Sequence, residues 1–125
     1  MTLPPYATLL GMSIQDDDDG TRRLAMAFSG KVSGRPGYLH GGAIGGMLEM
    51  AAILRLRDAL GTETAVVKPV TLTVDYMRGG REKITYAAGI VRRLGSRVAN
   101  VDAIAWQDDR THPIAAARLT FLIRR

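Results

Sequence analysis

One stretch of the chain, residues 37–52, "GYLHGGAIGGMLEMAA", combines a histidine, a glycine-rich turn and a lone carboxylate. Gly41 and Gly42 follow His40 where a helix would start, and they leave its first backbone N–H groups unshielded at the positive end of the helix dipole. Such a place receives an anion, a phosphate, or a carbonyl oxygen that gains negative charge during a reaction. Nine residues after His40 stands Glu49, the one charge between Ala43 and Leu54. A lone helix glutamate is ordinarily a surface residue, but these apolar neighbours argue for burial. A buried, unpaired carboxylate has a raised pKa and suits general-base work on water. His40 has two readings, a capping or structural residue and a catalytic one. At 1.5 Å rise per residue, Glu49 lies about 12 Å along the helix from its start. That is too far for both groups to act on one atom within one chain. Two such helices packed across a dimer axis would bring Glu49 of one chain near the His40–Gly42 turn of the other.

The elements around this stretch follow from periodicity. Residues 41–60 read as a helix, with Gly61 as the residue that ends it. Its first two-thirds are apolar on most sides, whereas "RLRDAL" reads as solvent-facing last turns. Upstream, residues 11–16 and 21–28 read as short strands joined at "DDDG", with Gly20 available for positive φ. The acids from Asp16 to Asp19 are consecutive rather than spaced as calcium ligands are, and they read as a solvated hairpin tip. Residues 29–37 form a loop by composition. Downstream, strands are predicted over 67–77, 83–94, 97–106 and 113–123, with Gly95-Ser96 and "QDDRTH" as turns. Trp106 and His112 are expected to pack and cap near the last hairpin. Short links imply antiparallel pairing. The expected architecture is α+β, one long helix wrapped by a curved antiparallel sheet, as a single domain over residues 1–125. A single sheet cannot bury every side of that helix, so the remaining side is expected to meet a second subunit or a ligand.

These residues carry a family resemblance. "GYLHGGAIGGMLEMAA" resembles the signature of hot-dog-fold acyl-CoA thioesterases of the phenylacetate-degradation type: an Asn-containing loop, His-Gly-Gly, and an Asp or Glu nine positions after the His. "VDYMRGG", residues 74–80, is similar to the family's strand ending in an aromatic, Met or Leu, and Arg, and residues 92–123 are similar to its last two strands in spacing. The resemblance implies that Glu49 activates water or attacks directly, across a dimer interface. It implies that the N–H of Gly41, with that of Gly42, polarises the thioester carbonyl, and that His40 positions the loop. Two positions depart from the pattern. The family's loop Asn aligns with Gly34, and a hydroxyl that orients water in some members aligns near Pro69, with Thr71 and Thr73 close by.

Composition narrows the partners. Seventeen basic against twelve acidic residues give a net charge of +5, and 14 of the 17 are arginines, whose rigid fork of donors suits phosphate. With the resemblance, coenzyme A becomes the expected phosphate-bearing partner, and Arg78 and Arg97 are the favoured contacts among Arg78, Arg81, Arg92, Arg93 and Arg97. The absence of cysteine excludes disulfides, thiolate metal sites and a thiol nucleophile. No metal or separate cofactor is expected; coenzyme A enters as part of the substrate. The seven aromatics are scattered rather than interleaved with basic residues, which argues against nucleic-acid binding. No apolar run reaches membrane-spanning length and no signal peptide is evident, so a cytoplasmic protein is expected. The leading reading is hydrolysis of an aryl or medium-chain acyl-CoA by a homodimer or dimer of dimers. The alternative is a non-catalytic acyl-CoA or aryl-ligand binding protein on the same fold. A hydratase is disfavoured, because no Asp is followed by a His five residues on.

Overall fold

The computed structural model describes residues 2–125, and the long helix lies where the periodicity predicts it. Helix α2 spans Gly41–Leu60 after a five-residue helix α1, Pro5–Leu9, which the sequence reading did not anticipate. Gly61 ends α2 in the left-handed region, with φ 70°, and its N–H closes the last turn on the Arg57 carbonyl. The strands are β1 (Met12–Asp16), β2 (Arg22–Met26), β3 (Val66–Tyr76), β4 (Thr85–Leu94), β5 (Val98–Trp106) and β6 (Ala115–Arg124). They form one antiparallel sheet in the order β1-β2-β4-β5-β6-β3.

Packing follows a division of volume. The helix supplies large side chains, with Met47, Leu48, Leu54 and Leu56 fully buried, while the facing strands supply alanines, among them Ala87, Ala99, Ala105 and Ala115. Small against large lets the helix sit close to the sheet at interior packing density. The approach is tightest at Gly89 of β4, where a Cβ would lie 2.8 Å from Arg55 Cβ and 2.9 Å from the Ala51 carbonyl oxygen. The "RLRDAL" turns are only partly as expected: Asp58 and Ala59 are exposed, but Leu56 still points into the core.

Two surfaces stay largely uncovered, the first with Tyr6 of α1 over its Gly42–Gly46 end. Along α2, Gly42 is exposed and Gly46, Glu49, Ile53 and Arg57 are half-buried. Their three- and four-residue spacing puts them on one face, the side away from the sheet. Strand β3 is the other. It pairs only with β6, so its far edge carries unpaired backbone groups, and Val70, Leu72 and Tyr76 are exposed along it. Pro69, beside a register shift, is tolerated because an edge strand has a side that needs no ladder donor.

The acidic hairpin tip differs from expectation. The turn forms, with Gly20 at φ 83°, but Asp17 is not solvated: its side chain is 2% exposed. It accepts a 2.6 Å hydrogen bond from Arg110, lies 3.6 Å from Arg23, and takes the N–H of Asp18 at 2.8 Å. Arg110 is 93 residues away in sequence, so no local pattern could reveal the pairing. The same two arginines stack on Trp106 and Tyr86, whose rings are themselves stacked at 5.8 Å. Trp106 therefore packs as predicted, and His112 contacts Asp109 within the following turn.

Candidate functional site

The site begins with how helix α2 starts. His40 is its N-cap, in extended conformation, and the ring Nδ1 accepts the Gly42 N–H at 2.9 Å. The carbonyl of His40 accepts from the N–H groups of Ala43 and Ile44. Between these bonds, the N–H of Gly41 has no acceptor among the described residues. A donor whose own peptide carbonyl accepts two bonds is polarised toward a stronger interaction with an incoming oxygen. Gly42, the second expected donor, already serves His40, so its N–H becomes available only if that ring moves away.

Two tyrosines fix this turn, and the sequence reading assigned neither a role. Tyr76, the last residue of β3, donates from its hydroxyl to the Gly41 carbonyl at 2.8 Å. Its ring lies 3.7 Å from where a Gly41 Cβ would be, and its hydroxyl 3.3 Å from one at Gly45. Tyr6 of α1 sits over the neighbouring pair: a Cβ at Gly46 would meet its hydroxyl at 2.5 Å and its ring at 2.6 to 3.0 Å, and the hydroxyl is 3.5 Å from the Gly42 carbonyl. The quartet Gly41, Gly42, Gly45 and Gly46 is thus two seats for aromatic rings, one helical turn deep each. The i,i+4 repetition of paired glycines was the available sequence signal. The peptide between Gly41 and Gly42 is held at both ends, its N–H by His40 and its carbonyl by Tyr76, which fixes the adjoining peptide that carries the free donor.

His40, Gly41, Ile44, Tyr76, Met77 and Arg78 line a cleft of about 560 Å³, with the loop residues Arg35 and Tyr38 on its rim. The loop is closed by hydrogen bonds from Gly34 N–H to the Tyr38 carbonyl and from Tyr38 N–H to the Arg35 carbonyl, and by Leu39 N–H to the Gly80 carbonyl. Gly34 packs on the turn itself: a Cβ there would be 3.1 Å from His40 Cα. An asparagine at this position needs a small retreat of the loop, a steric account of the departure seen in the sequence.

Among the described residues, no carboxylate lines the cleft. The structure brings His40, Gly41 and Arg78 together, with Gly42 on the same turn but exposed. It does not bring Glu49 to them within one chain. Glu49 is half-buried on the uncovered helix face and has no hydrogen-bond or ion-pair partner among the described residues. Arg97 is also apart. It borders a separate apolar basin with Lys68, Leu122 and Arg124, by the Val66 end of β3, whereas the cleft lies by the Tyr76 end. Thr71 and Thr73 lie exposed between the two ends. A smaller depression, lined also by Arg81, adjoins the cleft at Arg78 and Gly79. At its border, hydrogen bonds from the Thr111 side chain, the Thr111 N–H and His112 push the Asp109 carboxyl down to about 2, so it is ionised at neutral pH.

Comparison with known proteins agrees with this architecture. The pattern of the thioesterase superfamily matches residues 36–114, which include the helix start, Glu49, Tyr76 and Arg78. A candidate esterase of Halobacterium salinarum is 33% identical over 95 residues, 73% of this chain, and the chain spans 62% of that relative's length. Among solved structures, a Chromobacterium violaceum protein is 38% identical, with a TM-score of 0.78 over 97% of this chain and 84% of its own. A Bacillus halodurans protein crystallised with coenzyme A superimposes with a TM-score of 0.88 at 18% identity, over 98% of this chain and 80% of its own, a likeness of fold alone. The helix wrapped by a six-stranded antiparallel sheet is the hot-dog fold, and with the family pattern covering both the glycine turn and the carboxylate, the chain belongs to the thioesterase superfamily.

Proposed function

We propose that this protein hydrolyses acyl-CoA thioesters to a carboxylic acid and free coenzyme A, in a site that two protomers complete. The observation that carries the reading is the pair of unfinished halves. One is a free, polarised N–H at Gly41 in a cleft without a carboxylate; the other is a partnerless, half-buried Glu49 on an uncovered helix face. The exposed edge of β3 supports a second copy as the missing neighbour. Pairing of β3 with its own copy about a twofold axis is antiparallel and isologous, so the Tyr76 end of one strand meets the Val66 end of the other. Arg97 then approaches the partner's cleft. The coenzyme A carried by the Bacillus halodurans neighbour supports the ligand class.

The chemistry needs few parts. The thioester carbonyl oxygen rests on Gly41 N–H, where the helix start stabilises the negative charge of a tetrahedral intermediate. Glu49 of the other protomer takes a proton from water as the water oxygen bonds to the acyl carbon. Collapse of the intermediate breaks the carbon–sulfur bond, and the departing thiolate takes the proton held on Glu49, which returns the carboxylate. Ile44, Met77 and Tyr76 give the cleft an apolar wall suited to an aryl or medium-chain acyl group.

The test is a panel of acyl-CoAs with released thiol as readout, run beside Glu49→Gln and Gly41→Pro. Each variant alone should lose at least a hundredfold in kcat. If Glu49→Gln keeps wild-type turnover, the assigned base is wrong. Mixing the two inactive variants as unfolded chains and refolding them together tests the shared site. A mixed pair holds one intact site, so about a quarter of wild-type activity should return; none returns if each chain carries its own site. Coenzyme A binding with no hydrolysis across the panel would instead select a non-catalytic binding protein.

A further inference from the structure

Beside the cleft, Tyr38 carries two guanidinium groups. Arg35 lies 4.1 Å and Arg81 4.3 Å from the ring centroid. Two planar cations cannot share one position above a ring, so each takes its own face. The ring is held from the side as well: a Cβ at Gly79 would fall 2.7 Å from Tyr38 Cε1. Neither arginine, nor the adjacent Arg78, has a side-chain hydrogen bond or ion pair among the described residues. Of the other eleven arginines, five, Arg22, Arg23, Arg57, Arg92 and Arg110, each face a carboxylate. Holding two like charges against one phenol, with a third cation close by and no acid in the cleft, is unfavourable in isolation. A bound polyanion would make it favourable.

We infer that Arg35 and Arg81, splayed by Tyr38, form a phosphate-binding rim that recognises the nucleotide end of the thiol substrate. The arginine forks suit phosphate oxygens in two-pronged contact, and the aromatic clamp restrains both side chains before the ligand arrives, which lowers the entropic cost of binding. Arg78 lines both the cleft and the adjoining depression, where the two acids present, Asp108 and Asp109, already face Lys83 and His112. This rests on the reading of the substrate as a coenzyme A thioester; it adds Arg35, which the charge pattern did not single out, to Arg81, which stood among the five candidate arginines without being favoured.

The experiment measures binding of free coenzyme A and of pantetheine, which lacks the phosphates, to the wild-type protein and to an Arg35→Ala/Arg81→Ala variant by calorimetry. In parallel, kcat/KM is measured for the same acyl group on each thiol. The wild type should prefer the phosphorylated thiol, and the double variant should lose at least tenfold of that preference in both measurements. Tyr38→Leu should lose part of it, and Tyr38→Phe should keep it, because the ring face and not the hydroxyl holds the arginines. Raising salt should erode the wild-type preference and leave the variant's nearly flat. An unchanged preference in the double variant overturns the inference, and so does an equal weakening toward both thiols, which would make the arginines supports of the cleft. A wild type that hydrolyses nothing, yet shows the preference and loses it in the variant, overturns the catalytic reading and leaves the phosphate rim standing.

Discussion

Two parts of this protein use the same pair of groups, arginine and an aromatic ring, to different ends. On β2, β4 and the β5–β6 turn, Arg23 and Arg110 lie on Tyr86 and Trp106 and converge on Asp17, which is almost wholly buried. Beside the start of α2, Arg35 and Arg81 lie on Tyr38 and converge on nothing of their own chain. In the first cluster, burial pushes the Asp17 carboxyl up. The Arg110 hydrogen bond, the Asp18 N–H and the charges of Arg110 and Arg23 outweigh that and hold it below the ordinary carboxylate value. Charge there is neutralised within the chain and serves the fold. In the second, charge is left over for something that arrives. The same contrast separates two acids, Asp17 with three partners and Glu49 with none among the described residues.

If that division is real, substitutions should separate stability from activity cleanly. The sharpest separation is expected at Gly41→Pro. Proline suits the first helical position, and His40 before it is already extended at φ −68° and ψ 131°, as a residue preceding proline must be. A new Cβ would meet Tyr76 at an ordinary 3.7 Å. The change deletes one N–H and little else, so kcat should fall by about 10²–10³, some 3–4 kcal/mol of barrier, with Tm within about 2 °C of wild type. A variant that folds and turns over normally removes Gly41 from the mechanism.

Asp17→Ala should do the reverse. It leaves two arginines without their shared acid, but Arg110 is 39% exposed on its side chain and can regain water. The loss is therefore about 2–3 kcal/mol, below the full cost of an orphaned buried charge. Denaturant unfolding measures it, and kcat per folded molecule should not change. The acid dependence has a definite sign. With the folded pKa depressed from 3.8, the contribution is complete above that value and disappears as pH falls through the lower folded value. Wild-type stability should thus converge on that of the variant in acid; a gap that persists once the carboxyl is protonated would mean that the ion pair is not its source.

How much of this was legible beforehand depends on the range of the interaction. Helix α2, its glycine stop and all six strands follow from local periodicity, because 3.6- and 2-residue patterns are imposed by burial on one face. The cleft was half legible: His40 and Gly41 are adjacent in sequence, whereas Tyr76 reaches them from 35 residues away. Asp17 was misread for the same reason, since a run of four acids signals solvent until Arg110 is known to fold onto it. In the sequence Arg78 stands at a strand end and Arg97 follows a turn, equally favoured as phosphate contacts, and only the register of β3 against β6 separates their surroundings within a protomer. Helix α1 was hidden by its length, five residues starting at proline.

Tyr76→Phe probes the seam between the two regimes, a packing residue that touches the reacting turn. The ring stays on Gly41 and Gly45 and only the 2.8 Å hydrogen bond to the Gly41 carbonyl is lost. One neutral hydrogen bond is worth about 1 kcal/mol, so kcat should drop about five- to tenfold. KM should hold, because the effect falls on the placement of the oxyanion donor rather than on substrate contacts. A rise in KM with kcat intact would mean that the hydroxyl serves substrate binding and not the placement of the donor.

The smallest expected effect carries the most general lesson. Arg92 is paired with Asp102 at 2.8 Å on the exposed sheet face, its side chain 59% exposed. Arg92→Ala removes one unit of the net +5 charge, the same change in total charge as Arg81→Ala. If the protein attracts a phosphorylated substrate through its overall field, the two variants should weaken coenzyme A binding alike, and more so at low salt. If recognition is local, Arg92→Ala should alter KM less than twofold and stability by no more than about 0.5 kcal/mol, the usual worth of an exposed pair. The local outcome is expected, because Arg92 is already answered by a carboxylate and Arg81 is not. Titrating both variants at two salt concentrations decides between a basic protein and a basic site.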